Sequence, residues 1–334
     1  MDWNKGFSAV YYASLVDRAT WRDTDKFEIT GGSVTRSDSS LIESADVSTR
    51  FQFDGEKWIR VYMDTRQDGA AGHVALFTGL AVPPQTDIKG NVISYSLECY
   101  SVLKPAEDVL LDRGFYVAES ANSGDVLMQL LKVTPAPVEV AREFTPRLKT
   151  TIIAEEGETH LSMVYKVLKA IGWRIRLTGD GRIIICPKAN KASVTYDALD
   201  NDAVEPQITM NHDWFACPNV FRAIADDMMA IARDDRPESA LSTVSRGREV
   251  WMEETGCTLN LGEGIAEYAL RRLKEEQAKA YDCSYRRRFH PDVTVSDLVA
   301  LHYPKQGLNG NYKVTEQRIE LGSGCRMEEQ VEYC

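Results

Sequence analysis

The fold turns on one stretch: Asp46-Val-Ser-Thr-Arg-Phe-Gln-Phe53, then Asp54-Gly55, then Lys57-Trp-Ile-Arg-Val-Tyr-Met-Asp64. Both flanks are rich in β-branched and aromatic residues. Asp-Gly between two such runs is the two-residue signal that closes a β-hairpin. Working outward, the same composition recurs at Phe7 to Val16, Lys26 to Arg36, His73 to Val82 and Val92 to Val102. Gly31-Gly32, Asp68-Gly69 and Lys89-Gly90 punctuate these runs. Short strands at this spacing predict an antiparallel barrel or sandwich over residues 1–104.

Beyond Lys104-Pro105 the period changes. From Asp125 to Lys132, the residues Val126, Leu127, Leu130 and Leu131 gather on one helical face. A loop marked by Pro135, Pro137 and Pro146 follows. Thr159 is placed to cap a second helix whose apolar positions, Leu161, Val164, Val167, Leu168 and Ile171, fall on one side, and Gly172 supplies its stop. Trp173 to Leu177 and Arg182 to Pro187 predict a hairpin around Asp180-Gly181. Residues 105–200 therefore read as a small α+β domain.

Over residues 201–334 strand patterns return at Asn219 to Asp226, Arg248 to Glu254, Tyr285 to Phe289, Leu298 to His302, Gly310 to Ile319 and Cys325 to Tyr333. Gly264 to Asp282 is the longest helical pattern, with Ile265, Ala269, Leu270 and Leu273 as its packing stripe. Asn309-Gly310 is a further tight-turn signal. The expected fold class is mainly β with an α+β insert: two antiparallel β-barrel domains and a small α+β middle domain.

The composition narrows the function. The chain has 334 residues, 43% hydrophobic and 27% charged, which is globular and argues against disorder or a fibrous repeat. Its net charge of −11 argues against coating nucleic acid, because neutralising phosphates needs surplus basic groups. No apolar run approaches the ~20 residues that span a bilayer. The start, Met1-Asp-Trp, carries no apolar signal region, so a soluble product made in the cytoplasm is expected. Seven cysteines (Cys99, Cys186, Cys217, Cys257, Cys283, Cys325 and Cys334) are scattered without a C-x-x-C pair, and several lie in apolar strand-like runs, as in Ile183-Ile-Ile-Cys186, where they read as buried free thiols.

No catalytic pattern emerges. His73, His160, His212, His290 and His302 are isolated, and no H-E-x-x-H, G-x-S-x-G, phosphate-binding loop or dinucleotide fingerprint occurs. Gly262-Glu-Gly264 reads as a turn before a helix. The pairs Glu155-Glu156 and Glu253-Glu254 read as solvated surface, since neighbours on a strand point to opposite faces. Arg271 with Glu275 is ordinary helix support. Trp3, Trp21, Trp58, Trp173, Trp214 and Trp251 could form a sugar platform, but their scatter favours core anchors. Arg286-Arg287-Arg288 is the densest basic run. On a strand its outer members share one face, which suits contact with an acidic partner or a charged, solvated edge. Catalytic residues, metal ligands and cofactors are all expected to be none.

Longer segments carry a resemblance. Leu97-Glu-Cys-Tyr-Ser-Val-Leu-Lys-Pro105 with Gly114-Phe-Tyr-Val117 looks like the end of the first barrel in tail hub proteins of phages and phage tail-like particles. Gly157-Glu-Thr-His-Leu161, the helix to Ile171-Gly-Trp173, and Gly179-Asp-Gly-Arg-Ile-Ile-Ile-Cys-Pro187 resemble that family's middle domain. The segments His290-Pro-Asp-Val-Thr-Val-Ser-Asp-Leu-Val299, Gly310-Asn-Tyr-Lys-Val-Thr-Glu-Gln-Arg-Ile-Glu-Leu-Gly-Ser-Gly324 and Cys325-Arg-Met-Glu-Glu-Gln-Val-Glu332 are similar to its final barrel. Arg246-Gly-Arg-Glu-Val250 fits as well. The family is that of baseplate hub and late control protein D.

This resemblance implies tube-type barrels and a homotrimer whose ring adapts a six-fold tail tube to a three-fold tip or spike. The ring would close the channel and start tube assembly. Implied partners are the tail tube or distal tail protein, the tip or spike protein and the tape measure protein. DNA would pass through an acidic lumen without specific binding, and no membrane insertion is implied. The expected location is the virion tail, assembled in the host bacterial cytoplasm. A lysin activity would belong to another protein, because the sequence ends after the last hub strand. The rival readings are a receptor- or carbohydrate-binding distal tail module and a tail-associated peptidoglycan hydrolase.

Overall fold

The computed structural model describes every residue except Asn4, 90–91, 142–144, 198–203, 212–213, 226, 258, 260–261, 307 and 334. The turn glycine Gly90, the histidine His212, the strand end Asp226, Cys334 and the first residues of the last unit therefore lie outside the described residues. The protein is mainly β.

The chain opens with β1 (Ser8–Val16), β2 (Asp23–Ser37), β3 (Glu43–Thr49), β4 (Lys57–Gln67), β5 (Ala70–Ala81), β6 (Gln85–Lys89) and β7 (Val92–Ser101). β1 pairs with both β2 and β4, and the ladder runs on through β5, β7 and β3 back to β2. These strands thus hydrogen-bond in a closed cycle. Val34, Val47, Ile59, Val61, Met63, Leu76, Phe77, Leu97 and Cys99 fill its core.

Two of the turn signals act differently from expectation. Asp54-Gly55 closes no hairpin: β3 lies between β2 and β7, whereas β4 lies between β1 and β5. The reason is apolar. Phe51 stacks on Phe27 with centroids 4.8 Å apart, and Phe53 is buried beside them. These rings draw the segment into the core and carry the chain to the far side of the cycle. Gly31-Gly32 does not end a strand either, but lies inside β2 at a register shift. A Cβ on Gly32 would stand 2.1 Å from the Asp46 carbonyl oxygen, so only glycine permits this approach. Asp68-Gly69 is a hairpin turn. Both residues have positive φ and Gln67 faces Ala70 across it, as a two-residue primed turn requires.

The middle segment contains α1 (Lys104–Asp108), β8 (Tyr116–Val117), α2 (Ser123–Leu130), β9 (Val138–Val140), β10 (Ile152–Ile153), α3 (His160–Ile171), β11 (Trp173–Leu177) and β12 (Ile183–Pro187). α3 forms as its pattern predicts. Thr159 Oγ1 accepts from the Ser162 N–H at 3.2 Å, and Gly172 ends the helix in the left-handed region. Leu161, Val164, Val167, Leu168 and Ile171 are all buried. β11 and β12 form the expected hairpin, joined by the turn through Asp180-Gly181. That turn docks on the first strands: Thr78 Oγ1 donates to the Gly179 carbonyl at 2.7 Å, and Trp21 Nε1 donates to the Asp180 carbonyl at 3.3 Å.

The remainder contains β13 (Ala192–Asp197), β14 (Val204–Asn211), β15 (Val220–Ala225), β16 (Met228–Arg233), α4 (Thr243–Arg246), β17 (Trp251–Thr255), α5 (Ile265–Ala278), β18 (Asp282–Arg288), β19 (Leu298–Tyr303), β20 (Leu308–Glu320) and β21 (Arg326–Tyr333). The order β13-β19-β20-β21-β18-β14 makes a second six-stranded set, and β20 also pairs with β2. One 13-stranded sheet therefore runs through both ends of the chain. Asn309-Gly310 is not a turn; both residues lie within β20, opposite His302 and Leu301. The chain reverses earlier, where Pro304 starts a short 3-10 turn. α5 packs Tyr268, Ala269 and Leu273 on the separate β16-β15-β17 sheet, while Leu270 stays 46% exposed. Three of the four expected stripe positions, Ile265, Ala269 and Leu273, pack on that sheet; Leu270 faces out, and Tyr268 joins the stripe in its place.

Two features of this fold are directly testable. A Cβ at Gly179 would lie 1.8 Å from the Ala75 carbonyl oxygen, which is backbone and cannot swing away. Gly179→Ala should lower the melting temperature measurably, whereas Gly6→Ala, which meets nothing within 4 Å, should not.

The second concerns Glu43, buried opposite Arg36 on β2, with Arg36 Nε 3.5 Å from its carboxylate. Burial pushes the Glu43 carboxyl up to about 7 from 4.5, and the Arg36 charge offsets this only partly. A raised folded-state value gives stability that is full below 4.5 and lost as pH rises through 7. Relative to Glu43→Gln, the wild type should lose up to ~3 kcal/mol across that window. Urea melts at both ends of the range check this, and parallel pH profiles for the two proteins would refute it.

Candidate functional site

The basic run Arg286-Arg287-Arg288 ends β18, an interior strand between β14 and β21. The expected solvated edge is therefore absent here. Strand alternation sorts the three side chains as predicted, with Arg286 exposed, Arg287 buried and Arg288 half-buried. Arg287 is the one that cannot meet a partner from this position. Its guanidinium lies inside the second strand set and forks onto Glu329, with Nε–Oε2 at 2.6 Å and Nη2–Oε1 at 2.5 Å. Gln317 Nε2 donates to the same carboxylate at 2.6 Å and to the Val293 carbonyl at 3.1 Å.

Burial and charge act together in this interior. Burial works against the Arg287 cation, but Glu329 outweighs it and the group is held protonated. Burial, reinforced by Glu329, raises the Tyr285 phenol well above its ordinary range. His290 is pushed down, first by burial and then by the Arg287 charge. The Arg287 guanidinium also stands 5.5 Å from the Tyr196 ring centroid. This is a satisfied structural ion pair on two neighbouring strands; Arg36 and Glu43 form a looser buried pair in the first strand cycle.

Arg286 faces outward, 3.7 Å from Glu328 on β21. It belongs to a mixed-charge surface that includes Arg318, Glu320 and Arg326. Sequence reasoning missed Glu329 and Gln317. One signal was available: in Met327-Glu-Glu-Gln-Val331, period-two alternation puts Glu329 on the face of Met327 and Val331, both buried.

The other singled-out residues do not converge. His73 pairs with Asp64 at 2.7 Å, and His160 meets the Leu130 carbonyl at 2.9 Å. Among the described residues no group of His, Cys, Asp and Glu is arranged to hold a metal ion. Glu253 and Glu254 do point to opposite faces, but Glu254 is not simple solvated surface. It accepts from Tyr268 at 2.6 Å and from Arg272 at 3.0 Å, fastening α5 to β17. Trp58 and Trp173 are core anchors, whereas Trp214 and Trp251 are 36% and 48% exposed. A hollow of about 970 Å³ lies where α3, α5 and the turn after β2 meet, and no sequence motif announced it.

The chain matches no protein-family model and no curated protein by sequence. Its fold, however, matches solved structures over nearly its whole length. A tail protein from Neisseria meningitidis MC58 superposes with a TM-score of 0.69 at 14% identity, covering 98% of this chain and 97% of that one. The 43 kDa tail protein of prophage MuSo2 from Shewanella oneidensis gives 0.68 at 15%, with the same coverage. An Escherichia coli component of the type VI secretion system, described as structurally similar to the T4 bacteriophage tail proteins gp27 and gp5, gives 0.50 at 7%, covering 92% and 75%. This likeness is one of fold.

The interior and exterior arginines should respond differently to mutation. Arg287→Met leaves the Glu329 carboxylate buried without its cation and should cost about 3–5 kcal/mol. Arg286→Ala should stay within about 0.5 kcal/mol of wild type. Equal effects in urea unfolding would contradict the assignment of faces.

Proposed function

We propose that this protein is a structural tail hub of a phage or phage tail-like particle. The reading rests on one observation: tail proteins share the fold over almost all of both chains, with no large region left over on either side. The closed cycle of β1, β4, β5, β7, β3 and β2 is then one tube-type barrel, and the β13-β19-β20-β21-β18-β14 set is its counterpart. The corresponding domains are 1–104, 105–200 and 201–334, with the middle α+β domain outside the ring, except that β13 (Ala192–Asp197) joins the strand set of the last domain.

Three subunits, each offering two such units, present a pseudo-six-fold ring. One face of that ring fits a six-fold tail tube and the other a three-fold tip or spike. Such a ring needs a heterologous contact that closes on itself. In this role the protein adapts symmetry, closes the channel and starts tube assembly, without catalysis or a cofactor. Its partners are the tube or distal tail protein, the tip or spike and the tape measure protein. A net charge of −11 suits a lumen through which DNA slides without adhering. Arg286 and Arg288 are proposed as partner contacts; Arg287 is an interior residue.

Negative-stain electron microscopy with light-scattering mass on the same purified sample is the test. An open three-fold ring of trimer mass is the expected outcome. A monodisperse monomer that stays monomeric at high concentration would count against the ring.

A further inference from the structure

The hollow of about 970 Å³ adjoins a second of about 470 Å³, and Ser40, Tyr165 and Lys169 line both. Together they form a groove bounded by the turn after β2, by α3 and by α5. Its wall is braced, because Tyr165 Oη donates to the Ser40 carbonyl at 2.6 Å. Ile42, Tyr165 and Leu298, all half-buried, together with exposed Tyr333, give the groove apolar contact surface.

Its charge opposes that of the whole molecule. Seven Lys and Arg side chains line the larger hollow against three carboxylates, on a chain of net charge −11. Part of this excess is neutralised from outside: Arg174 by Asp297 at 2.6 Å, Lys279 by Glu276 at 2.8 Å and Arg272 by Glu254 at 3.0 Å. Lys188 and Lys274 are exposed and have no ion-pair partner among the described residues. Lys169 has Glu254 alone, at 3.4 Å. Three under-compensated ammonium groups therefore border a partly apolar hollow.

We propose that this groove docks an extended acidic segment of a partner polypeptide, with its carboxylates on Lys169, Lys188 and Lys274 and its apolar side chains against Tyr165 and Leu298. Shape selects the class of ligand. Two adjoining hollows with shared walls suit a chain in extended conformation, which places alternate side chains on the apolar wall and on the ammonium groups. A nucleic acid is disfavoured by the net charge of −11 on the chain as a whole. The inference does not depend on the hub reading, because it concerns a surface of the single chain.

The test is fluorescence anisotropy of the full-length chain with a fluorescein-labelled peptide of about ten residues alternating Glu and Leu. The expected result is saturable binding that falls about tenfold or more in Lys188→Glu/Lys274→Glu and weakens with added salt. Lys57→Glu/Lys132→Glu, which alters exposed lysines outside the groove, should bind as wild type does. Matching melting curves for all three proteins would establish that folding is unaffected. No saturable binding by wild type, or equal binding by the groove variant, would overturn the proposal. So would an oligomeric wild type that becomes monomeric in the groove variant by light scattering, since the occupant would then be a second copy of this chain.

Discussion

The structure depends on how β2 shares its two edges. Along one edge it pairs with β3 from Ile29 to Arg36. Along the other it serves β1 with residues Asp23 to Glu28, then β20 with residues Ser33 to Ser37. The hand-over falls at Gly31-Gly32, where the register shifts and a side chain on Gly32 would strike the Asp46 carbonyl. A strand edge can satisfy only one neighbour at a time. The bulge bends the strand so that one half completes the first cycle and the other half joins the last strands to it. Both ends of the chain are thereby built into one sheet.

Within that sheet, inside and outside are decided by strand parity. Arg287 and Arg286 are adjacent in sequence, yet one is enclosed with Glu329 and the other pairs at the surface with Glu328. A buried arginine is tolerated when its charge and donors are met: the fork onto Glu329 and the Arg288 carbonyl meet those of Arg287, while Gln317 donates to the same carboxylate. Arg36 and Glu43 occupy a corresponding place in the first cycle with poorer geometry, and Glu43 Oε1 has no hydrogen-bond partner. That difference explains why burial dominates the Glu43 carboxyl.

The middle segment is not a loose appendage. The β11–β12 turn rests on Thr78, Ala75 and Trp21 with little clearance. This docking sets the position of α3 relative to the turn after β2, and Tyr165 with Ser40 fastens the two. The groove exists because these contacts hold α3 opposite α5. The protein thus combines a fold shared with tail proteins and a basic groove on an acidic chain.

Local chemistry makes much of this fold legible in the sequence. Thr159 and Gly172 bounded α3, the five apolar positions between them were all buried, and Asp68-Gly69 and Asp180-Gly181 both marked true reversals. Capping, periodicity and left-handed turns are short-range effects, so the residues that cause them are neighbours in the chain. Partner choice was not legible. Asp54-Gly55, Gly31-Gly32 and Asn309-Gly310 are turn-like sequences whose roles were reset by Phe51 and Phe53, by the β1-to-β20 hand-over and by pairing with β19. The enclosure of Arg287 with Glu329 and the groove lined by Lys188 and Lys274 also join residues far apart in sequence. The sequence by itself determined the strand-rich class, the middle helix and the alternation that splits the arginine run. Only the tertiary structure decided which strands share an edge and which charges are enclosed, because those outcomes depend on long-range packing.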